Sequence, residues 1–287
     1  MSTSQPTITD TQAASILDVR LDRDFLLGHH PDAANIPLEE LAGRVHELPR
    51  RHVEFAVFDD DPIRARWAQS RLRARGYARV TLSDGGDRNH RVVGSARVRM
   101  WRPHALLREA LGVIAESRGA SGRDALDVAC GAGRDAVFLA TQGWCVEAWD
   151  ILPDALERAN DLARRNLAAI TTRCVDLEGH SDWPRERYYL VMVFNYLYRP
   201  VFPRIQAAVR PGGWAVYETF VEPQRERYGR PRREAFVLQR GELRGFFDGW
   251  RILRYDESES HPRRIAAGII AQKPVAGSRL RQAEHRA

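Results

Sequence analysis

The sequence predicts an α/β protein of two domains, each built around a mostly parallel sheet with helices on its faces. Three observations predict it. Short apolar runs alternate with amphipathic, helix-spaced stretches along most of the 287 residues, the pattern of parallel sheets covered on both sides. A turn-rich break at 119–123 separates two such alternations. In the second, the apolar run Ala125-Leu126-Asp127-Val128 passes into Ala129-Cys130-Gly131-Ala132-Gly133 and on to a helix beginning near Arg134-Asp135. Glycines at such a turn let the backbone bend sharply and approach a ligand closely, because they carry no Cβ.

Composition sets the bounds. Hydrophobic residues make up 44% and charged residues 29% of the chain, with a net charge of +6, which describes an ordinary globular protein. Acids are interspersed with the arginines, so no nucleic-acid footprint emerges and nucleic acid is not the expected partner. No apolar run approaches the roughly 18 residues of a membrane span, and residues 1–12 lack a signal-peptide pattern, so the expected location is cytoplasmic. The three cysteines, Cys130, Cys145 and Cys174, lie in apolar strand-like contexts. They are expected to be buried, reduced thiols, and no metal-ligand spacing is present.

In the first domain, expected over 8–90, strands are predicted at 16–19, 53–58 and 77–82, with Gly85-Gly86 closing the last. A helix is predicted over 67–75, ended by Gly76 in the position after its last turn. A connector over 91–120 carries an amphipathic helix at 104–117, with Leu106, Leu107, Ala110, Leu111 and Ile114 on one face. In the second domain, expected over 121–273, strands are predicted at 125–128, 144–149, 170–175, 189–194, 214–219, 250–255 and 265–272. Helices follow the glycine turn and cover 153–166. The Arg210-Pro211-Gly212-Gly213 run is read as a turn before its strand, and residues 274–287 as a flexible tail.

The first domain resembles the rhodanese family. Leu17-Asp18-Val19-Arg20, Asp24-Phe25 and Gly28-His29-His30-Pro31-Asp32-Ala33-Ala34 carry the likeness. Active members begin their catalytic loop with a cysteine directly after the central strand; this chain has Asp59, followed by Asp60-Asp61-Pro62. A carboxylate cannot hold a persulfide, and three acids repel an anionic sulfur donor. The domain is expected to be inactive as a sulfurtransferase and to serve structure or the docking of a protein partner.

In the second domain the motif Gly131-x-Gly133-x-x-Ala136 is compatible with either of two nucleoside cofactors. Asp150 ends the second strand 19 residues past Gly131, where a carboxylate can accept from two ribose hydroxyls. A nicotinamide dinucleotide fits poorly, because Asp127 just before the loop would face a pyrophosphate. Asp127, Asp150, Asp176-Leu177 after the third strand and the late Pro-Gly-Gly together resemble class I S-adenosyl-L-methionine-dependent methyltransferases over about 104–273, which implies a Rossmann-like seven-stranded sheet. By that resemblance Asp127, Cys130, Gly131, Gly133 and Arg134 form the cofactor loop, with Asp127, Gly131 and Gly133 along the methionine part. Asp150 holds the ribose, Ile151 lies against the adenine, Asp176 and Leu177 read the adenine edge, and Asn195 lies beside the sulfonium. Residues 131–140, 143–150, 241–244 and 249–250 look more narrowly like the tellurite-resistance and thiopurine group, which implies a small-molecule acceptor such as a thiol or chalcogen oxyanion. Tyr198 and Arg199 are candidates to orient an anionic acceptor, and Glu218 is a candidate base. Tyr228, Arg230, Arg232 and Arg233 form a loop able to close over it, while His180 and Trp183 are read as surface loop. The alternatives are a cofactor-binding protein without turnover and a methyltransferase of macromolecules.

Overall fold

The structure is a computed structural model that describes residues 14–84, 91–96, 98–117, 122–179, 182–261 and 263–275. The expectations for residues 1–12, Gly85-Gly86, His180 and most of the tail lie outside the described residues. The chain divides into two compact units, Met1–Arg102 and Pro103–Ala287. No helix among the described residues is long and apolar enough to cross a membrane.

The first unit runs β1 (Ile16–Asp18), α1 (Asp22–Leu27), β2 (Ala33–Asn35), β3 (Phe55–Phe58), α2 (Pro62–Ala74) and β4 (Val80–Leu82). Its four strands are parallel in the order β2-β1-β3-β4, around a core that includes Leu17, Val57, Leu72 and Val80. Three elements differ from expectation. Helix α2 starts five residues early, because Pro62 opens it and the Asp61 carboxylate accepts from the Ile63 N–H at 2.8 Å. That Asp-Pro pair is a helix-start signal in the sequence. Val53 lies outside the strand because its N–H closes a turn to Arg50 O. Tyr77 packs its ring edge-on to Phe55 rather than joining β4.

The second unit runs α3 (Ala105–Glu116), β5 (Asp124–Val128), α4 (Arg134–Thr141), β6 (Cys145–Asp150), α5 (Pro153–Arg165), β7 (Ile170–Cys174), β8 (Tyr188–Phe194), α6 (Phe202–Ala208), β9 (Val209–Phe220), α7 (Glu222–Tyr228), α8 (Glu242–Phe246), β10 (Arg251–His261) and β11 (Arg264–Gln272). The sheet order is β10-β11-β9-β8-β5-β6-β7, with β11 antiparallel to both β9 and β10 and the rest parallel. Successive strands leave β5 on both sides, so a crevice opens beyond the C-terminal ends of β5 and β8, where such sheets bind ligands. The Pro211-Gly212-Gly213 run is not a turn before β9 but its bulged beginning, marked by a register shift against β8. Cys145 and Cys174 are exposed, not buried, and Cys130 is half-buried. Cys174 ends the edge strand β7, whose outer residues have no neighbouring strand to cover them.

The two loop glycines serve different needs. Gly131 has φ +54° with open space where a Cβ would stand, whereas Gly133 has φ +73° and a Cβ there would sit 2.6 Å from Ala159 Cβ on α5. Gly131 is needed for conformation alone, and Gly133 for conformation and for the close approach of α4 to α5. Gly131→Ala should therefore cost about 1–2 kcal/mol, and Gly133→Ala about 3 kcal/mol or more through added overpacking. Urea unfolding of the two variants against wild type measures the difference.

Candidate cofactor-binding site

A cavity of about 320 Å³ opens at the crevice. Its walls come from the end of β5 and the glycine turn (Asp127, Ala129, Cys130, Gly131), from α4 (Asp135) and from the end of β8 (Phe194, Asn195, Tyr196). Asp127 is 3% exposed. The Ala136 N–H in the first turn of α4 donates to its carboxylate, yet Oδ2 has no hydrogen-bond partner among the described residues. Burial, then the nearby charge of Asp135 and, more weakly, of Asp150, hold its carboxyl well above the usual carboxylate range. A buried, unpaired carboxylate oxygen on a cavity wall is a costly arrangement that a cationic ligand group would relieve.

Asp150 is buried and fastens two turns at once: Oδ2 accepts from the Gly131 N–H at 2.8 Å and Oδ1 from the Leu152 N–H at 3.0 Å. Each oxygen keeps a second lone pair for a ligand hydroxyl. Ile151 beside it is 55% exposed, an apolar surface for a flat ring. Cys130 donates its backbone N–H to Trp149 O at 2.9 Å, and burial pushes its thiol pKa up, which makes it a poor nucleophile. Arg134 opens α4. Asn195 adopts φ +61°, and its N–H donates to Glu218 O at 2.9 Å. Asp176, at the end of β7, is exposed and accepts from the Glu178 N–H at 3.0 Å, while the Leu177 side chain is buried in the core. Leu177 can thus offer a ligand only its backbone.

The expected acceptor-side residues are placed differently. Arg199 is a strut: its guanidinium donates to both Glu242 oxygens at 2.5 and 2.9 Å and to the Ala235 and Val237 carbonyls. It lines a separate cleft of about 530 Å³ with Glu222, Glu234 and Glu242, so it is not free to orient an anion in the cofactor cavity. Tyr198 is half-buried against the core and does not line that cavity. Tyr228 gives its hydroxyl to Glu259 at 2.6 Å. Glu218 sits between Arg264 at 2.8 Å and His104 Nε2 at 3.2 Å. Burial opposes its ionisation, but contacts with His104 and Arg264 outweigh that and pull its carboxyl down to about 2. The structure places Glu218 in an ion pair with Arg264 beside His104, an arrangement that disfavours proton uptake by its carboxylate.

His104 carries more than the sequence indicated. Its backbone N–H donates to Asp135 Oδ1 at 2.6 Å, and its ring stacks on Phe194 with centroids 4.1 Å apart. Nδ1 accepts from the Leu106 N–H at 3.4 Å, and Nε2 lies 3.2 Å from Glu218 Oε1. One residue at the start of α3 thus holds two walls of the cavity. Tyr217 adds another tie, donating its hydroxyl to Tyr196 O at 2.6 Å.

In the first unit, the carboxylates that replace the expected thiol loop are bound within the unit. Asp59 accepts from Arg64 at 3.1 Å, Asp60 from the buried Arg20 at 2.8 Å, and Asp61 caps α2. Arg20 also grips Asp18 with 2.7–3.1 Å contacts. No thiol stands in this loop.

Glu218 sets an acid limit on the fold. Its folded pKa of about 2 lies below the ordinary 4.5, so its contribution is present above pH 4.5 and is lost as pH falls toward 2. The shift corresponds to roughly 3 kcal/mol. Glu218→Gln should flatten the loss of stability over that window in acid-titrated thermal melts.

Residues 6–88 match the family model Rhodanese-like domain. A curated relative of Eikenella corrodens described as Hemagglutinin 1 is 27% identical over 55% of this chain and 52% of its own length, so the chain spans about half of that relative. An uncharacterized protein of Schizosaccharomyces pombe is 20% identical over 79% of this chain and 82% of its own. Among solved structures, TehB of Haemophilus influenzae is 19% identical, with a TM-score of 0.48, 59% of this chain covered and 62% of that one. Residues 99–267, more than half of the chain, match the family model Tellurite resistance protein TehB, and the protein belongs to that family, with a rhodanese-like domain preceding the matched region.

Proposed function

We propose that the protein is an S-adenosylmethionine-dependent methyltransferase of a small-molecule acceptor, with Asp127, Gly131, Asp150, Ile151 and Asn195 as the cofactor-binding residues. The observation that carries this reading is the buried Asp127 side chain on the cavity wall, whose Oδ2 has no partner among the described residues. It suits the ammonium of a methionine moiety and would repel a dinucleotide pyrophosphate, which argues against the nicotinamide alternative.

When bound, S-adenosylmethionine supplies a sulfonium methyl for in-line displacement. The chain's own residues hold and orient. Asp127 binds the ammonium, Asp150 accepts from the ribose hydroxyls, and exposed Ile151 offers an apolar face to the adenine. Asp176 and the Leu177 backbone lie at the end of β7, on the Asp150 side of the sheet. Phe194 and Tyr196 line the wall beside Asn195, where their rings would limit the access of water to a bound cofactor. Alignment of this kind supplies much of the barrier reduction in a displacement reaction.

The base chemistry of the site supports one acceptor class over others. Glu218 is held as an ion pair with its carboxyl near 2, and the Cys130 thiol is pushed up by burial. A nucleophile that arrives already ionised, such as a thiolate or chalcogen anion, needs no general base. A hydroxyl or ammonium acceptor does. The rhodanese-like domain lacks the thiol of a sulfurtransferase, and its role in this reading is structural or in docking.

Two outcomes test the proposal. Purified protein should release S-adenosylhomocysteine with thiol, selenite or tellurite acceptors, and Asp150→Ala should abolish that release. Cofactor binding without release from any acceptor would instead support a binding protein. Asp127→Asn should weaken cofactor binding by about 3 kcal/mol, roughly a hundredfold. The same variant should raise the Tm of the unliganded chain at neutral pH. The sign follows from the raised folded pKa: ionising Asp127 costs folding stability as pH rises above the unfolded carboxylate value, and an amide carries no such cost. Calorimetric titration and thermal melts read both effects.

A further inference from the structure

Three carboxylates stand around the cofactor cavity, and the roles proposed so far use two of them. Asp127 meets the ammonium and Asp150 the ribose hydroxyls, groups that S-adenosylmethionine shares with its product S-adenosylhomocysteine. Neither contact can tell reactant from product. The third carboxylate, Asp135, lines the same cavity beside Asp127, Phe194, Asn195 and Tyr196. It lies half-buried in the first turn of α4. Its Oδ1 accepts from the His104 backbone N–H at 2.6 Å, a donor that fixes the oxygen and brings no counter-charge of its own. Asp135 acts on Asp127 more strongly than Asp150 does, so its charge is felt at the wall where the buried Asp127 Oδ2 has no partner among the described residues.

Reactant and product differ by one methyl and one charge. Methyl transfer breaks the bond between sulfur and its methyl, the electron pair stays on sulfur, and the acceptor binds the methyl through a lone pair of its own. A positive sulfonium becomes a neutral thioether. A cavity of about 320 Å³ is no wider than roughly one Debye length at physiological salt, so a carboxylate on its wall acts on a cation anywhere inside. Partial burial strengthens that attraction over its value in water. A thioether gains nothing from it.

We propose, on the reading of this cavity as an S-adenosylmethionine site, that Asp135 is the residue that distinguishes the positive sulfonium cofactor from its neutral thioether product. Methyl transfer then loosens the ligand it leaves behind. The other source of such a preference is the aromatic wall, since ring faces also attract cations. Phe194 is the weaker source, because its ring is already stacked on His104 with centroids 4.1 Å apart.

Calorimetric titration with three ligands tests this: S-adenosylmethionine, S-adenosylhomocysteine, and an analogue carrying an amine in place of the sulfonium. Wild type should bind the two cationic ligands about tenfold more tightly than S-adenosylhomocysteine. Asp135→Asn keeps an oxygen for the His104 N–H but removes the charge. It should bring the three affinities within about twofold of one another, chiefly by weakening the cationic ligands. Asp135→Glu, which keeps the charge, should keep the preference. Wild type binding S-adenosylhomocysteine as tightly as the cationic ligands, or Asp135→Asn keeping the preference, would overturn the proposal and leave the cofactor reading intact. Binding of none of the three by wild type would overturn both.

Discussion

An acid buried at the end of a parallel strand without a counter-charge is the constraint on which the second unit depends. Strand β5 is covered on both faces, and its other inner residues, Ala125, Leu126 and Val128, are apolar and buried. Asp127 interrupts that run. An apolar residue there would stabilise the unliganded chain, so the carboxylate has a use that the fold alone does not explain. The α4 N-terminus supplies one donor through Ala136, and Oδ2 is buried without a partner among the described residues. Gly131 and Gly133 follow from the same geometry, since the chain must turn at once and bring α4 back beside that carboxylate.

Charge around the cavity decides between ligands that glycine spacing leaves open. Asp127, Asp135 and Asp150 cluster at one turn, and Asp127 and Asp135 line the cavity wall. A helix N-terminus over a glycine turn is often an anion site. Here three carboxylates invert that preference. The ligand has to bring a positive group to Asp127 and hydroxyls to Asp150, which is a tighter specification than a glycine motif provides.

Local features of the fold were legible in the sequence, and long-range ones were not. The glycine turn, the acid ending β6 and the amphipathic α3 each follow from residues close together in the chain, because φ preference, strand ends and helical spacing are local properties. The tie of Arg199 to Glu242 is not legible because that partner lies 43 positions away, and the setting of Glu218 is not legible because its partners come from α3's cap and from β11. Cys174 was expected to be buried because its neighbours are apolar, but exposure follows from β7 being the sheet edge, a matter of strand order. Pro211-Gly212-Gly213 reads as a turn by composition and becomes a bulge only because β8 and β11 pair on either side of β9. The start of α2 is a local signal as well, since Asp61 caps the helix and Pro62 opens it.

The central claim is that the Asp127 carboxylate binds the cationic end of the cofactor, and proton linkage tests it most directly. Calorimetric titration of S-adenosylhomocysteine into wild type, at one neutral pH in two buffers of different ionisation enthalpy, counts the protons exchanged on binding. Burial raises the Asp127 pKa in the free chain and the group must be ionised against an ammonium, so binding should release protons rather than take them up. Binding with no buffer-dependent enthalpy, or no binding at all, would contradict the account.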